Sequence, residues 1–337
     1  MASKPVAVVA GASGFVGGTV ARALRADGYD VRTIGRTGDV TWADPARIAQ
    51  TIDGSDVLVN LAGKSVNCRY TDRNRDEILR SRVDTTRALR AAVRDAAAPP
   101  AVWFNASTAT IYRHAMNRPN TETAGELGEG FSVDVARNWE REFFEGELPH
   151  TRRVALRMAI VLGDGPATNT LLTLARIGLG GPQIDGWWFP HRRYRGIGPT
   201  PTGKGRSPSP RTRGRQKFSW VHIDDVVGAI RFLRDRDDIA GPVNIASPHP
   251  ADNRTLMRAL RARGRHADRS ARPEIHARAG DVAAADRART CLEEPLGGAG
   301  SARRGRVQIR TPPPAGSRDN PRVGSGRVSA VRHDRYG

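Results

Sequence analysis

The sequence predicts an α/β fold built on a doubly wound parallel sheet. Three observations predict it. Strand-like and helix-like stretches alternate from Pro5 to about Leu162, the strands read as unbroken apolar runs, and a glycine-rich turn joins the first strand to the first helix. A parallel strand covered by helices on both faces has no wet side. Runs such as "PVAVVAG" and "DVLVNLAG" are what such strands require.

Taken in chain order, strands are expected at 6–10, 30–34, 57–61, 102–106 and 154–161. Between them the stretches 15–26, 45–51, 76–96 and 133–144 each carry an apolar stripe at helical spacing. After Leu162 the pattern changes to Gly, Pro and aromatic residues. A segment from 190 to 217, rich in Arg, Pro, Gly and Ser, is expected to be a disordered or loosely held loop. Regular structure resumes with "FSWVHIDDVVGAIRFL", a short strand followed by Asp224 or Asp225 in helix-capping position and an amphipathic helix. "GPVNIAS" reads as a further strand and 252–261 as a further helix. From 262 onward the only aromatic is Tyr336, and neither a period of 3.6 nor one of 2 is visible. The predicted organisation is therefore a nucleotide-binding domain over 1–165, a small C-terminal substrate lobe over 166–261 that includes the basic loop 190–217, and an unstructured basic tail over 262–337.

The chain has 337 residues, 38% of them hydrophobic and only 6% aromatic, which is lean for its length. The formal net charge of +19 is concentrated in two places. Residues 191–217 hold nine Lys and Arg with no acid, and residues 261–337 hold seventeen against eight acids, so the rest is nearly neutral. No helix carries a basic stripe interleaved with stacking aromatics, and nucleic acid is not the expected partner. Cys68 and Cys291 form no CxxC pair, so neither a disulfide framework nor a zinc site is indicated. No HExxH motif or Cys/His cluster points to a metal. The first strand runs straight into the glycine turn, leaving no room for a signal peptide, and no apolar run reaches ~18 residues. A cytoplasmic protein without membrane contact is expected; the sequence is silent on its oligomeric state.

"GASGFVGG" places Gly11, Gly14 and Gly17 directly after a buried strand and at the start of a helix. Gly11 permits the tight turn, Gly14 lets the backbone approach a pyrophosphate, and Gly17 lets the helix pack closely on the strand. Ser13, Phe15 and Val16 lie in the same loop and first turn, whose N–H groups would face the phosphates. This is the Rossmann pattern for a dinucleotide. The second strand ends Ile34, Gly35, Arg36, where an acid would bind both ribose hydroxyls of NAD. Arg36 instead suits a 2′-phosphate, so NADP(H) is the expected cofactor; a solvated surface arginine is the alternative. "NLAG" ends the strand at 57–61, and Leu61, Ala62 and Gly63 are small enough there to let a cofactor's adenine and ribose side lie against the strand edge.

These residues together resemble the atypical and extended short-chain dehydrogenase/reductases, and within them the "epimerase family protein" group. The resemblance is carried in family order by "GASGFVGG", "NLAGKSVNCRYTDRNRDEILRSRVDTTRAL", "STATIY", "NWERE", "LRMAIVLGDG", "GLGGP" and "FSWVHIDDVVGAI", over roughly residues 5 to 260. It implies that Thr108, with Ser107 beside it, polarises a substrate carbonyl or hydroxyl next to the nicotinamide. It also implies a cofactor role for Arg82, which stands where typical members carry Asn; a salt-bridged helix arginine is the plainer alternative.

One family feature is missing. The proton-transfer pair is Tyr followed four residues later by Lys, and none of Tyr29, Tyr70, Tyr112, Tyr194 and Tyr336 is so followed. Alignment of "ARNWERE" puts Ser132 and Ala136 at those positions. Tyr112, which ends "STATIY", is a candidate acid or a wall of the pocket. His222 is expected to brace the C-terminal lobe, and Asp224 and Asp225 to cap a helix. The small domain that closes the family is absent in its usual form. "EEPLGGA" at 293–299, in GC-rich codons read one frame over, can give Leu-Lys-Ser-Arg-Trp-Val-Val-Pro, close to that domain's signature, so the tail is a candidate frameshift product. The leading expectation is an NADP(H)-binding oxidoreductase or epimerase-like enzyme on a small hydroxyl- or carbonyl-bearing substrate. The alternative is an NADP-binding regulatory protein without turnover.

Overall fold

A computed structural model describes residues 3–116, 118–176 and 215–267. The strands are β1 (Val6–Ala10), β2 (Asp30–Gly35), β3 (Val40–Thr41), β4 (Val57–Asn60), β5 (Val102–Thr108), β6 (Arg152–Met158), β7 (Ile160–Leu162), β8 (Lys217–Phe218), β9 (Trp220–His222), β10 (Gly241–Ile245) and β11 (Ala251–Asp252). The helices are α1 (Phe15–Ala26), α2 (Pro45–Ile52), α3 (Asp72–Asp95), α4 (Phe131–Phe144), α5 (Pro166–Arg176), α6 (Ile223–Arg234) and α7 (Asn253–Ala267). Seven strands form one sheet in the order β10-β6-β5-β4-β1-β2-β3. Every pairing in it is parallel. This is the doubly wound Rossmann order, with the chain reversing its direction of travel between β1 and β4.

Alternate residues of the strands enter two separate cores. Ala7, Val9, Val57, Val59, Phe104 and Leu156 pack under α1 and α6, against Val20, Leu24, Val226 and Ile230. Val8, Ala10, Leu58, Trp103 and Ala155 face α2, α3 and α4, where Ile48, Ile52, Leu89 and Phe143 cover them. Trp103 meets Phe143 edge-on, with ring centroids 4.8 Å apart. Burial on both faces explains why the strands carry no polar alternation.

The structure departs from expectation at identifiable points. The apolar run at 154–161 is two strands: Ala159 N–H donates to Ile245 O in the main sheet, and Ile160 N–H to Ser219 O, so the chain changes partners there. β7 then pairs with β9 outside the sheet. β3, only two residues long, has no pattern to detect. α3 starts at Asp72 because Thr71 accepts a bond from Asn74 N–H. The cap of α6 is His222, whose Nδ1 accepts from Asp224 N–H at 3.3 Å; Asp224 and Asp225 lie in the first turn. β10 and α6, beyond the expected boundary at 165, belong to the main sheet and its core, and α7 continues past Arg261.

"GLGGP", the loop 190–217 apart from its last three residues, and the tail beyond Ala267, including 293–299, lie outside the described residues. Among the described residues no helix is long and apolar enough to cross a membrane.

Candidate functional site

Two turns meet at the point where the strand order reverses. Gly11, after β1, has φ +83°, and a Cβ there would lie 2.7 Å from the backbone carbon and oxygen of Leu61, after β4. The glycine turn and the Asn60–Gly63 turn can touch only because Gly11 has no side chain. Gly17 is held to the same standard inside the loop, since a Cβ on it would collide with the Gly11 carbonyl. Gly14 differs from both. Its nearest own-chain neighbour, Gly11 O, would stand 3.4 Å from a Cβ, an ordinary contact. The fold itself gives no reason for glycine at 14, and a closely approaching ligand does.

Gly14 is also the N-cap of α1, and no side chain caps that end. A 12-residue helix thus presents first-turn N–H groups and the positive end of its dipole to the space over the loop. Ser13 is exposed there, while Phe15 and Val16 are half-buried. The Phe15 ring lies where a Cβ on Gly165 would be, at 2.7 Å, and beside Gly163, so the chain after β7 folds onto the loop. Ser13, Gly14, Phe15, Asp164 and Ile223 line a cavity of about 500 Å³.

The turn after β4 is fixed from beneath by a buried polar cluster. Asn60 Oδ1 accepts from Ala62 N–H at 3.1 Å. Its Nδ2 donates to Asn105 Oδ1 at 2.7 Å and to Thr86 Oγ1 at 3.1 Å, and Trp139 Nε1 donates to the same Thr86 oxygen. Asn60 and Asn105 are both fully buried. Above this cluster Arg82 reaches from α3. It donates to the carbonyls of Lys64 and Ile78 and stacks over the Trp139 ring at 5.2 Å. A Cβ on Gly63 would stand 3.1 Å from its guanidinium carbon. No carboxylate among the described residues pairs with it. Burial pushes Arg82 down to about 10. A desolvated cation without a counter-ion is unfavourable alone and becomes favourable when an anion binds.

At the end of β2, Arg36 is exposed. The nearest following acid, Asp39, is engaged elsewhere: its carboxylate accepts from Thr33 N–H and Thr33 Oγ1, both at 2.8 Å. Asp39 Oδ2 is thereby committed to Thr33 of β2.

The β5–α4–β6 region is built differently. Ser107 donates to Glu140 Oε1 at 2.5 Å, and Arg157 grips both oxygens of Glu140 at 2.8 and 2.7 Å. Arg157 also donates to Tyr112 Oη, which donates to Asn244 Oδ1, each at 2.8 Å. Burial alone would depress Arg157, but its bonds to Glu140 hold it above the ordinary guanidinium range. For Tyr112 burial outweighs the pull of Arg157 and raises the phenol's pKa. The Tyr112 side chain is 2% exposed and packs on Ala136, itself fully buried. Thr108 is half-buried, accepts from Thr110 N–H, and so caps the short 3-10 turn Ala109–Ile111.

The structure thus brings the glycine loop, with Gly11, Ser13, Gly14, Phe15, Val16 and Gly17, against Leu61 and Ala62, and sets Arg82 on Gly63. Arg36 follows β2 and is exposed, Ser107 and Thr108 end β5, and Tyr112 comes after the 3-10 turn. Sequence reasoning missed Asn60, Asn105, Glu140 and Arg157. An arginine inside the apolar strand "VALRM" was the available signal for the last.

The model of the NAD dependent epimerase/dehydratase family matches residues 7–129. The mouse "Epimerase family protein SDR39U1" is 28% identical over 250 residues, covering 72% of this chain and 74% of that protein. The crystal structure of human SDR39U1 with NADPH superposes with a TM-score of 0.61 at 27% identity, over 75% of this chain and 79% of that one. Over this range the chain is similar to proteins of this epimerase family. The human protein shares the fold described above. The fold is shared as well by the UDP-glucose 4-epimerase of Thermotoga maritima with UDP-glucose, with a TM-score of 0.59 at 16% identity over 88% of this chain and 91% of that one.

Proposed function

We propose that this chain binds NADP(H) across the β1/β4 switch point and acts as an oxidoreductase or epimerase-like enzyme on a small hydroxyl- or carbonyl-bearing substrate. The observation that carries the reading is Arg82, a half-buried cation with no carboxylate partner among the described residues, beside the turn at Gly63. With the uncapped start of α1 opposite, it suits the diphosphate of a dinucleotide. The free strand end at Arg36, and Asp39 turned onto Thr33, favour the 2′-phosphate form. The NADPH in the human SDR39U1 structure supports the same choice.

The cofactor, when bound, supplies two-electron redox chemistry. The chain's own contribution is position and polarisation. The N–H groups of α1 and Arg82 hold the diphosphate, Leu61 and Ala62 form the wall along the strand edge, and Thr108 presents a hydroxyl to the substrate oxygen. Ser107 is fixed by Glu140 and sets the end of β5. Tyr112 keeps its proton and stays with Arg157 and Asn244, so it braces the site and moves no proton.

A second reading, NADP(H) binding without turnover, is favoured by one observation: where the superfamily's lysine would stand, Ala136 packs against the Tyr112 ring. Calorimetry and an NADPH-oxidation screen of carbonyl compounds separate the outcomes. Arg82→Ala should weaken NADPH about tenfold to a hundredfold. An unchanged affinity would refute the diphosphate site, and binding without any turnover would select the second reading.

A further inference from the structure

Beside the glycine loop, between α1 and the end of β2, lies a cavity of about 240 Å³ lined in part by Ser13, Gly18, Ala21, Arg25, Thr33 and Thr37. Arg36 is not among its lining residues. The cavity exists because Gly18 and Ala21, on the α1 face turned to β2, are too small to fill it. One turn further on, the same face carries Arg25. Helical side chains lean toward the helix N-terminus, which carries this one back over Ala21 toward the loop.

Its charge is not answered locally. Arg25 is exposed, and its guanidinium forms no hydrogen bond or ion pair with another described residue. Neither of two nearby acids in the sequence is available. Asp39 is bound to Thr33, and Asp27 to Arg231 at 2.8 and 2.6 Å, with Arg234 at 3.3 Å. The hydrogen bond from Arg231 leads the influences that hold Asp27 below its usual range. The cavity floor adds a hydroxyl at Thr37 and backbone at Gly38. A small, strongly charged anion with several acceptor oxygens fits such a lining, and a neutral ribose hydroxyl uses little of it.

We infer that Arg25, reaching across this cavity, is a specificity-determining residue that takes the 2′-phosphate of NADP(H). The inference rests on the NADP(H) reading above and changes its emphasis. Arg36 becomes the outer cation at the rim, and α1 supplies the inner one. Two arginines from different elements then bracket one phosphate, which a single-position sequence comparison at the end of β2 does not reveal.

The test compares adenosine 2′,5′-bisphosphate with adenosine 5′-monophosphate, ligands that differ only in the 2′-phosphate, by calorimetry on the full chain. Arg25→Ala should weaken the bisphosphate about tenfold and leave the monophosphate unchanged, and the NADPH to NADH affinity ratio should fall by the same factor. Arg25→Gln keeps the stem's packing and should behave alike, so that a folding defect in the first variant does not decide the matter. If the parent protein discriminates between the two ligands and both variants still do so, Arg25 is overturned while the cofactor assignment stands. If the parent itself does not discriminate, both fall. Equal weakening of both ligands also overturns the inference, because it places Arg25 on the shared 5′-phosphate or on the fold.

Discussion

Around β1, α1 and β4 the polar groups are left open: among the described residues α1 has no capping side chain, Gly14 has no neighbour that demands glycine, and Arg82 has no carboxylate. Around β5, α4 and β6 the reverse holds, and Ser107, Glu140, Arg157, Tyr112 and Asn244 answer one another in an unbroken chain. Both regions are polar, and both are supported by buried side chains. The difference is that the first region has interactions still to make and the second has made them. Unmet polar capacity marks where a ligand belongs, whereas satisfied capacity marks what holds the site in shape.

The largest expected effect comes from opening the closed network. Glu140→Gln leaves Arg157 buried and unpaired, which for a buried ion pair costs about 3 to 5 kcal/mol. Urea denaturation should show the full loss. If the two regions are as separate as their hydrogen bonds indicate, the NADPH affinity of the fraction that remains folded should barely move. A large loss of affinity with little loss of stability would join the regions and break the comparison.

The glycines sharpen it from the other side. Gly11→Ala strains a left-handed backbone and presses a methyl group on Leu61, so it should destabilise the fold by about 1 to 3 kcal/mol. Gly14→Ala meets only an ordinary contact and should melt with the parent, yet lose NADPH affinity tenfold or more by crowding the diphosphate. Thermal melts beside titrations check both. A Gly14→Ala protein that binds as well as the parent would mean that the loop does not approach a ligand closely.

Legibility followed the same division. The glycine loop could be read because each of its constraints falls within a few consecutive residues and at a strand-to-helix junction. The parallel, doubly covered sheet followed from apolar runs that only such strands tolerate, while its strand order did not. The closed network could not be read, because Ser107, Glu140 and Arg157 come from three elements, and charges in "NWERE" and "ALRM" look like solvent-facing ones until the sheet brings them together. Arg25 was hidden for a related reason: on a helix, a basic residue near the C-terminus already has a local explanation in the dipole. His222 displaced Asp224 and Asp225 as the cap of α6 since imidazole nitrogen accepts a backbone bond as carboxylate oxygen does.

The smallest effect on activity is expected at Tyr112, and it bears on whether the closed region does any chemistry. Tyr112→Phe removes one hydroxyl from between Arg157 and Asn244, and should destabilise by about 1 to 3 kcal/mol because two buried partners lose a bond. The folded phenol's pKa is raised, so its stabilising contribution is complete below the unfolded value near 10 and is lost as pH rises through the folded value. Parent and variant should therefore differ most near neutrality and converge in alkali, as urea titrations at several pH values would record. Any NADPH oxidation found in the screen should survive Tyr112→Phe and fall with Thr108→Ala, because the threonine hydroxyl alone of the two is half-exposed after β5. Activity abolished by Tyr112→Phe and spared by Thr108→Ala would turn the closed network into the acid and its stability role into a by-product.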